Sequence, residues 1–474
     1  MTDTATRKTA RAASSKTRSD EAIVATRAPQ SIGVYRHDFD RQPAAPEWLQ
    51  TLRGEGIARF EALGFPTTKN EDWHFTSVAP IADQVFRAAM VSKAGVSSEG
   101  STAGMVAPQD LKRFNFDQSD WSTFVFVNGE FSEDLSSYAG LRTGVRVSSL
   151  SKAIRLGTGR PERHLGKIAA FDKHTFTALN TAFIRDGAFV EVQADAVVEK
   201  PIHLIFVSEG GGQAVSHPRN LIVAARNSRA TIVESYVSIR DSSYFTNAVT
   251  EISLGDGAHL DHYKIQRESE QSFHVGTVQT RQARGSQFHS FSYAVGGSLA
   301  RTNIYTSLDG DGATCTLNGL YLADGTQHID NQTSIEHIAP NCPSHEIYKG
   351  VLDGRSHGVF NGKVYVHPEA QKTDGKQSNN NLLLSPTARV DTKPQLEIFA
   401  DDVKCTHGAT VGRLDDLAMF YLNSRGIGPD TARMLLTYAF AADVIETIEL
   451  EPLKKGLERL VLARFAGGED QLPA

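Results

Sequence analysis

The chain has 474 residues, with 49 Lys and Arg against 55 Asp and Glu and a formal net charge of -6. This balance, with no dense basic block among aromatic residues beyond the first 30 positions, argues against a nucleic acid partner. The length predicts about three domains unless an elongated repeat architecture holds the extra residues.

The cysteine count and the hydropathy pattern indicate the compartment. The 3 cysteines argue against a disulfide framework and favour a reducing environment. The sequence has no apolar run of about 18 residues and no hydrophobic signal core at its N-terminus. We therefore expect a soluble, cytoplasmic protein.

Residues 1–35 are predicted to be a disordered basic tail, because Ala, Ser, Thr, Arg and Lys dominate and little in the segment can pack. A transit peptide has a similar composition and would place the protein in an organelle stroma. Asp3, Asp20 and Glu21 argue against a transit peptide, because such peptides are poor in acidic residues. The tail is therefore the preferred interpretation.

Residues 36–170 are predicted to form an N-terminal helical or mixed domain. A helix is expected from near Pro46, with one apolar face made of Trp48, Leu49, Leu52, Ile57, Phe60 and Leu63. Trp73 and Phe75 are expected to pack in the core of this domain. Asn128-Gly129, between two strand-like runs, predicts a tight hairpin.

Residues 171–412 show a repeat of short strand-like runs. The small residues of four repeats, Ala230, Ala258, Ser286 and Ala313, are separated by steps of 28, 28 and 27. Such self-similarity predicts a β-solenoid with one turn per step. The apolar positions two residues later are predicted to point inward: Ile232, Leu260, Phe288 and Cys315. Cys315 is therefore expected to be a core side chain and not a ligand.

Other polar residues of the repeat region have no assigned chemistry. Asn379–Asn381 predicts a turn whose amides pair along the stack. Cys342 is expected to be an incidental loop thiol, although with His345 it makes a second possible ligand pair. The dispersed histidines are expected to be solvated or hydrogen-bonded locally: His328, His337, His345, His357 and His367.

Residues 413–474 are predicted to be a C-terminal helical region. One helix begins at Asp415 or Asp416 and ends at Gly426, a second begins at Pro429, and a third begins at Pro452. The second helix has a predicted apolar stripe of Ala432, Leu435, Leu436, Ala439, Phe440 and Val444. These helices either cap the solenoid end or offer a docking face to another protein.

Cys405 and His407 are the candidate metal or cofactor ligands. They lie two residues apart in a strand-like segment, so both side chains leave one face, about 7 Å apart. Thiolate and imidazole suit iron, copper or zinc, but an iron–sulfur cluster takes about four protein ligands. The missing ligands must come from elsewhere in the chain or from another chain. An exposed thiolate of lowered pKa would suit capture of iron or sulfur.

Four segments carry a family resemblance that spans roughly residues 45–465. The segment from Asp391 to Gly412 is similar to the SufB/SufD family of the SUF iron–sulfur cluster assembly system, and so are the segments Lys69–Trp73, Asn379–Ser385 and Phe420–Ile427. SufB proteins typically carry Glu after the histidine that corresponds to His407. This chain has Gly408 there, so the resemblance favours SufD over SufB.

The resemblance implies a right-handed parallel β-helix between an N-terminal helical domain and a C-terminal helical region. It also implies a SufB-like partner bound through the β-helix and a SufC-like ATPase bound through the C-terminal helices. Cys405 and His407 would then lie at the interface with SufB and share a transient cluster or iron. The chain would be a non-catalytic scaffold with no nucleotide of its own, and it has no phosphate-loop motif.

Three other interpretations stay open. One is a β-solenoid enzyme that cleaves carbohydrate with Asp353, Arg355 and His357, although such enzymes are commonly secreted and the sequence shows no export signal. The second is the SufB role, and the third is a purely structural role in which Cys405 is inert.

Overall fold

The computed structural model describes residues 30–88, 106–116, 118–141, 143–210 and 212–466. Residues 1–29, most of the predicted tail, lie outside these ranges. The prediction of disorder is wrong for residues 30–35, which begin the first helix. Ile32 and Tyr35 are buried there, and the ring centroids of Tyr35 and Phe60 lie 5.6 Å apart in a T-shaped arrangement.

Short helices and strands form the N-terminal part. The helices are α1 (Gln30–Phe39), α2 (Glu47–Leu63), α3 (Ala79–Ala82), α4 (Pro108–Leu111), α5 (Leu150–Leu156) and α6 (Thr175–Ala182), with 3-10 turns at Glu71–Trp73, Lys112–Phe114 and Pro161–Arg163. The strands are β1 (Arg87–Ala88), β2 (Ser122–Val127), β3 (Glu130–Ser137) and β4 (Val145–Ser149). The predicted hairpin is confirmed, because β2 and β3 pair around Asn128 (φ 51°) and Gly129 (φ 88°).

Two sheets of parallel strands form the centre of the molecule, as the β-helix prediction requires. Sheet A contains β5 (Ala188–Val192), β7 (Ala214–Ser216), β8 (Arg219–Ala224), β10 (Tyr244–Leu254), β12 (Phe273–Gln282), β14 (Leu299–Leu308), β16 (His328–His337), β18 (His357–Val366) and β20 (Arg389–Ile398). Sheet B contains β6 (Ile202–Ser208), β9 (Arg229–Ser238), β11 (His259–Arg267), β13 (Gln287–Val295), β15 (Thr314–Ala323), β17 (Pro343–Leu352), β19 (Asp374–Leu383) and β21 (Lys404–Gly412). From β8 onward the chain alternates between the sheets, so each turn adds one strand to each.

The register corrects one step of the predicted repeat. Leu260 pairs with Phe288, and Phe288 with Cys315, as the steps of 28 and 27 require. Leu260 pairs with Ala230 on its other side, so the first step is 30 residues and not 28. Ile232 is nevertheless buried, and Cys315 is confirmed as a core residue with 1% exposure.

The N-terminal strands continue both sheets and close one end of the solenoid. β2 pairs with β6 in sheet B, and β4 pairs antiparallel with β5 in sheet A. Apolar side chains of α2 and α6 pack with residues of sheet A, including Phe245 and Phe273, in one shared cluster. Trp73 joins this shared cluster, so it packs between the N-terminal segment and the solenoid.

The C-terminal helices are α7 (Asp416–Ser424), α8 (Pro429–Ile445) and α9 (Glu451–Ala466). α8 and α9 pack on the outer face of sheet B, where Val444 and Leu457 share a cluster with Tyr263 and Phe291. They therefore cover the side of the solenoid. The predicted stripe of α8 is partly wrong, because Ala439 is exposed. No helix in the described ranges is long and apolar enough to cross a membrane.

Candidate functional site

Strand β21 is the last strand of sheet B and holds both predicted ligands. It pairs with β19 along one edge only, in a register that sets Cys405 beside Gly375 and His407 beside Gln377. β20 ends sheet A in the same way. The final turn of the solenoid therefore presents two edge strands with unpaired backbone groups.

The Cys405 side chain belongs to the inward-facing column of the solenoid. Its register neighbours along the stack are Gly375, Ser344 and Cys315. A Cβ atom added to Gly375 would lie 3.4 Å from the Cys405 Sγ, so glycine leaves room for the thiol there. Cys405 is half-buried and packs with an apolar cluster that includes Val364.

The environment of the thiol differs from the exposed, low-pKa thiolate that would suit capture. Burial raises the pKa of the Cys405 thiol above its ordinary value, and the Asp374 carboxylate raises it further. The thiol of the chain alone is therefore mostly protonated near neutral pH. A bound metal cation would displace that proton, because only the thiolate is a good ligand.

His407 lies two residues farther along β21 and is exposed. Strand alternation places it on the same face as Cys405, in line with Gln377 and Glu346. Among the described residues, no third His, Cys, Asp or Glu joins Cys405 and His407 in a group that could hold a metal ion. The pair fits an iron or cluster ligand set in donor type but supplies only part of it.

Below His407, the solenoid interior holds a carboxyl group that the sequence reasoning missed. Gln377 donates a hydrogen bond to Glu346 at 2.7 Å, and both side chains are buried. Gln377 lies one turn, or 30 residues, before His407 in the repeat, and Glu346 lies one further turn, or 31 residues, before Gln377. The repeat therefore contained the signal that locates this carboxyl group.

Glu346 makes the stability of the protein depend on pH. Burial raises the pKa of Glu346 to about 7, above that of an exposed glutamate. The folded state thus holds the proton more tightly than the unfolded state, and its stability falls as pH rises from about 4.5 through 7. We expect Glu346→Gln to match the native protein near pH 5 and to exceed it above pH 7 by about 2–3 kcal/mol. Urea unfolding at both pH values measures this, and parallel pH profiles would contradict it.

The five dispersed histidines are as expected, because four have local hydrogen-bonding partners and His345 is exposed. His328 lies 2.8 Å from the Thr76 hydroxyl, His337 lies 3.0 Å from Ser344, His357 lies 2.6 Å from Asp391, and His367 lies 2.7 Å from Glu336. His345 is exposed, whereas Cys342 is fully buried and donates to the Pro340 carbonyl at 3.2 Å. Cys342 and His345 belong to no ligand group among the described residues.

Asn379–Asn381 lies within β19 and not in the predicted turn. Asn379 and Asn381 are buried, and Asn379 donates to the Tyr348 carbonyl at 3.2 Å on the neighbouring strand. Buried amides need such partners, which explains asparagines in the interior of a strand. The predicted pairing of the amides along the stack is therefore present, but the asparagines lie in a strand and not in a turn.

Two residues of the carbohydrate-enzyme interpretation, Asp353 and His357, have separate partners. Asp353 binds Arg433 of α8 at 3.1 Å, on the sheet B side. His357 is held between Asp391 and Arg389 on sheet A. These contacts engage both side chains in local ion pairs and hydrogen bonds and give the enzyme interpretation no support.

Comparisons with known proteins agree with the resemblance. Residues 36–204 match the family model of the SufBD protein N-terminal region, and residues 206–440 match that of the SUF system FeS cluster assembly SufBD core domain. The chain is 33% identical over 431 residues to the iron–sulfur cluster assembly protein SufD of Escherichia coli, covering 90% of this chain and 94% of that protein.

Two further relatives show the spread of the family. SufD of Bacillus subtilis is 28% identical over 437 residues, covering 90% of this chain and 96% of that protein. The chloroplastic protein ABCI7 of Arabidopsis thaliana is 28% identical over 412 residues, covering 85% and 83%. With both family models matched in sequence order over the N-terminal part and the solenoid, the chain belongs to the SufBD family of SUF iron–sulfur cluster assembly proteins.

Proposed function

We propose that this chain is a non-catalytic scaffold subunit of a SUF assembly complex, in which Cys405 and His407 hold part of a transient cluster or iron site. The observation that carries the proposal is the position of the two ligands on β21, an edge strand at the end of the solenoid. The cluster is the cargo of the assembly process and not a resident cofactor.

The partner at this edge is proposed to be a SufB-like paralogue. Edge strands bind a further strand through their free N–H and C=O groups, and a second β-helix has matching edges. Exposed apolar side chains lie on or beside these strands: Ile398, Phe399 and Val411. Pairing at this edge would cover them and bring the partner's ligands to Cys405 and His407.

The second partner is proposed to be a SufC-like ATPase that binds α7. This helix has no buried residue, and Leu417, Phe420 and Tyr421 are 78%, 71% and 57% exposed. α8 and α9 already use apolar side chains against sheet B. Because the chain has no phosphate-loop motif of its own, ATP hydrolysis would be the work of this partner. We propose that the complex works in the cytoplasm.

The test is the cluster yield of an anaerobically reconstituted complex. We expect Cys405→Ser and His407→Ala each to lower bound iron and sulfide to less than about half of the native yield, since each removes one of about four ligands. Subunit assembly should stay intact, because pairing at the edge of β21 uses backbone groups, which neither substitution removes.

Two substitutions control for the loss of a thiol or an imidazole as such. Cys342→Ser keeps a donor for the Pro340 carbonyl, and His345→Ala removes an exposed imidazole on sheet B. Both should keep the native yield. A native yield in the Cys405 and His407 variants would reject the proposed role.

A further inference from the structure

Three side chains of types that can bind a metal ion meet on the outer face of sheet B, far from β21. Asp261 and His289 are direct register partners on β11 and β13, and His259 lies two residues before Asp261. Leu260 directly precedes Asp261, Phe288 directly precedes His289, and both are fully buried in the solenoid core, so strand alternation places the three polar side chains outward. Five strand spacings separate β11 from β21, a distance of about 24 Å.

The three side chains converge on one point. The Asp261 Oδ1 atom lies 3.1 Å from His259 Nε2 and 3.2 Å from His289 Nδ1. The three candidate ligand atoms lie within 4.8 Å of one another. Two donors on a tetrahedral ion at about 2.1 Å are about 3.4 Å apart, so small side-chain rotations suffice to close the site.

The surroundings also suit a bound ion. Asp261 has 9% of its side chain exposed, whereas His289 has 36%, so the carboxylate is shielded while one side of the group stays open to solvent. The strand pairing fixes the backbone beneath all three residues. Because the ligand residues are already held in place, binding an ion would cost little conformational entropy.

We propose that His259, Asp261 and His289 bind one divalent first-row transition-metal ion, Zn²⁺ or Fe²⁺, with water at the remaining positions. A set of two imidazoles and one carboxylate binds such ions in preference to Mg²⁺ or Ca²⁺. Binding requires each imidazole to carry its proton on the nitrogen that does not face Asp261. This site shares no residue with the Cys405 and His407 pair, so each of the two site assignments can be tested without the other.

Titration of the full-length, chelator-treated chain with Co²⁺, followed by visible absorption, tests the site. The chain carries Cys405→Ser and His407→Ala, so that the terminal pair does not contribute. We expect about one bound Co²⁺, displaced by Zn²⁺, and a Kd that rises at least about tenfold in Asp261→Asn and in His289→Gln. Circular dichroism verifies that these variants stay folded.

His345→Gln is the matched control, because His345 lies in the same outward column as His289, two strands farther along sheet B. Its neighbours in register are Thr316 and Lys376, which do not complete a ligand group. This variant should bind Co²⁺ like its parent. Absence of Co²⁺ binding in the parent, equal binding in all variants, or an equal loss in His345→Gln would overturn the proposal.

Discussion

Arg219→Met is expected to lower the free energy of unfolding by about 3–5 kcal/mol, because it leaves a buried carboxylate without its counter-ion. The Arg219 and Glu251 side chains are both 0% exposed and lie 2.6 Å apart. Arg219 also donates to Asn180 and Thr181 of α6, at 3.0 and 3.1 Å. The pair therefore joins α6 to sheet A.

Glu251 extends the same network to the segment before α6. Its two oxygens accept hydrogen bonds from the backbone N–H groups of Gly166, Ile168 and Ala169, at 2.8, 2.9 and 3.0 Å. Loss of Arg219 should therefore loosen residues 161–182 first, and limited proteolysis should cut there.

Arg226→Met is the control for this prediction. Arg226 forms an ion pair with Asp195 at 3.1 Å, but the two side chains are 63% and 58% exposed. Exposed ion pairs contribute at most about 1 kcal/mol. Urea unfolding compares the two variants, and similar losses in both would contradict the importance of the buried pair.

Recovery of the proposed ATPase partner is expected to fall at least about tenfold in the double variant Leu417→Ser/Phe420→Ser. These residues lie three apart on α7 and share one exposed face with Tyr421. Loss of one apolar hot spot commonly costs about 2 kcal/mol of binding, and about 1.4 kcal/mol is a tenfold change. Co-purification of the ATPase with the tagged chain measures the effect.

The double variant should stay as stable as the native protein, because it replaces apolar groups that are already in contact with water. Leu156→Ser, at a leucine 58% exposed near the other end of the solenoid, is the control for a polar substitution at the surface. If the double variant retains as much ATPase as Leu156→Ser does, α7 is not the docking helix.

The solenoid could be predicted from sequence because its turns repeat. The two later steps of the predicted repeat match the register, and they placed Cys315 correctly in the core. The first step failed because the loops between strands vary in length, so a small residue in one turn need not lie above a small residue in the next. The Asn379–Asn381 error has a different cause. Asparagine favours turns by local propensity, but hydrogen bonds to the neighbouring strand hold these residues in β19.

The candidate site was only partly predictable. Spacing alone placed Cys405 and His407 on one face, but only the register shows that this face continues the solenoid interior at its final turn. The pKa of Cys405 depends on burial, which one sequence does not reveal. The His259, Asp261 and His289 group was within reach, because adding one step of 28 residues to Asp261 gives His289.

We propose that Cys405 and His407 make an incomplete ligand set, which a SufB-like partner completes. Iron and sulfide content after anaerobic reconstitution tests this most directly, measured on the isolated chain and on the chain with its partners. We expect the isolated chain to retain no stoichiometric cluster and the complex to retain one that depends on Cys405. A complete cluster held by the isolated chain through Cys405 and His407 would contradict it.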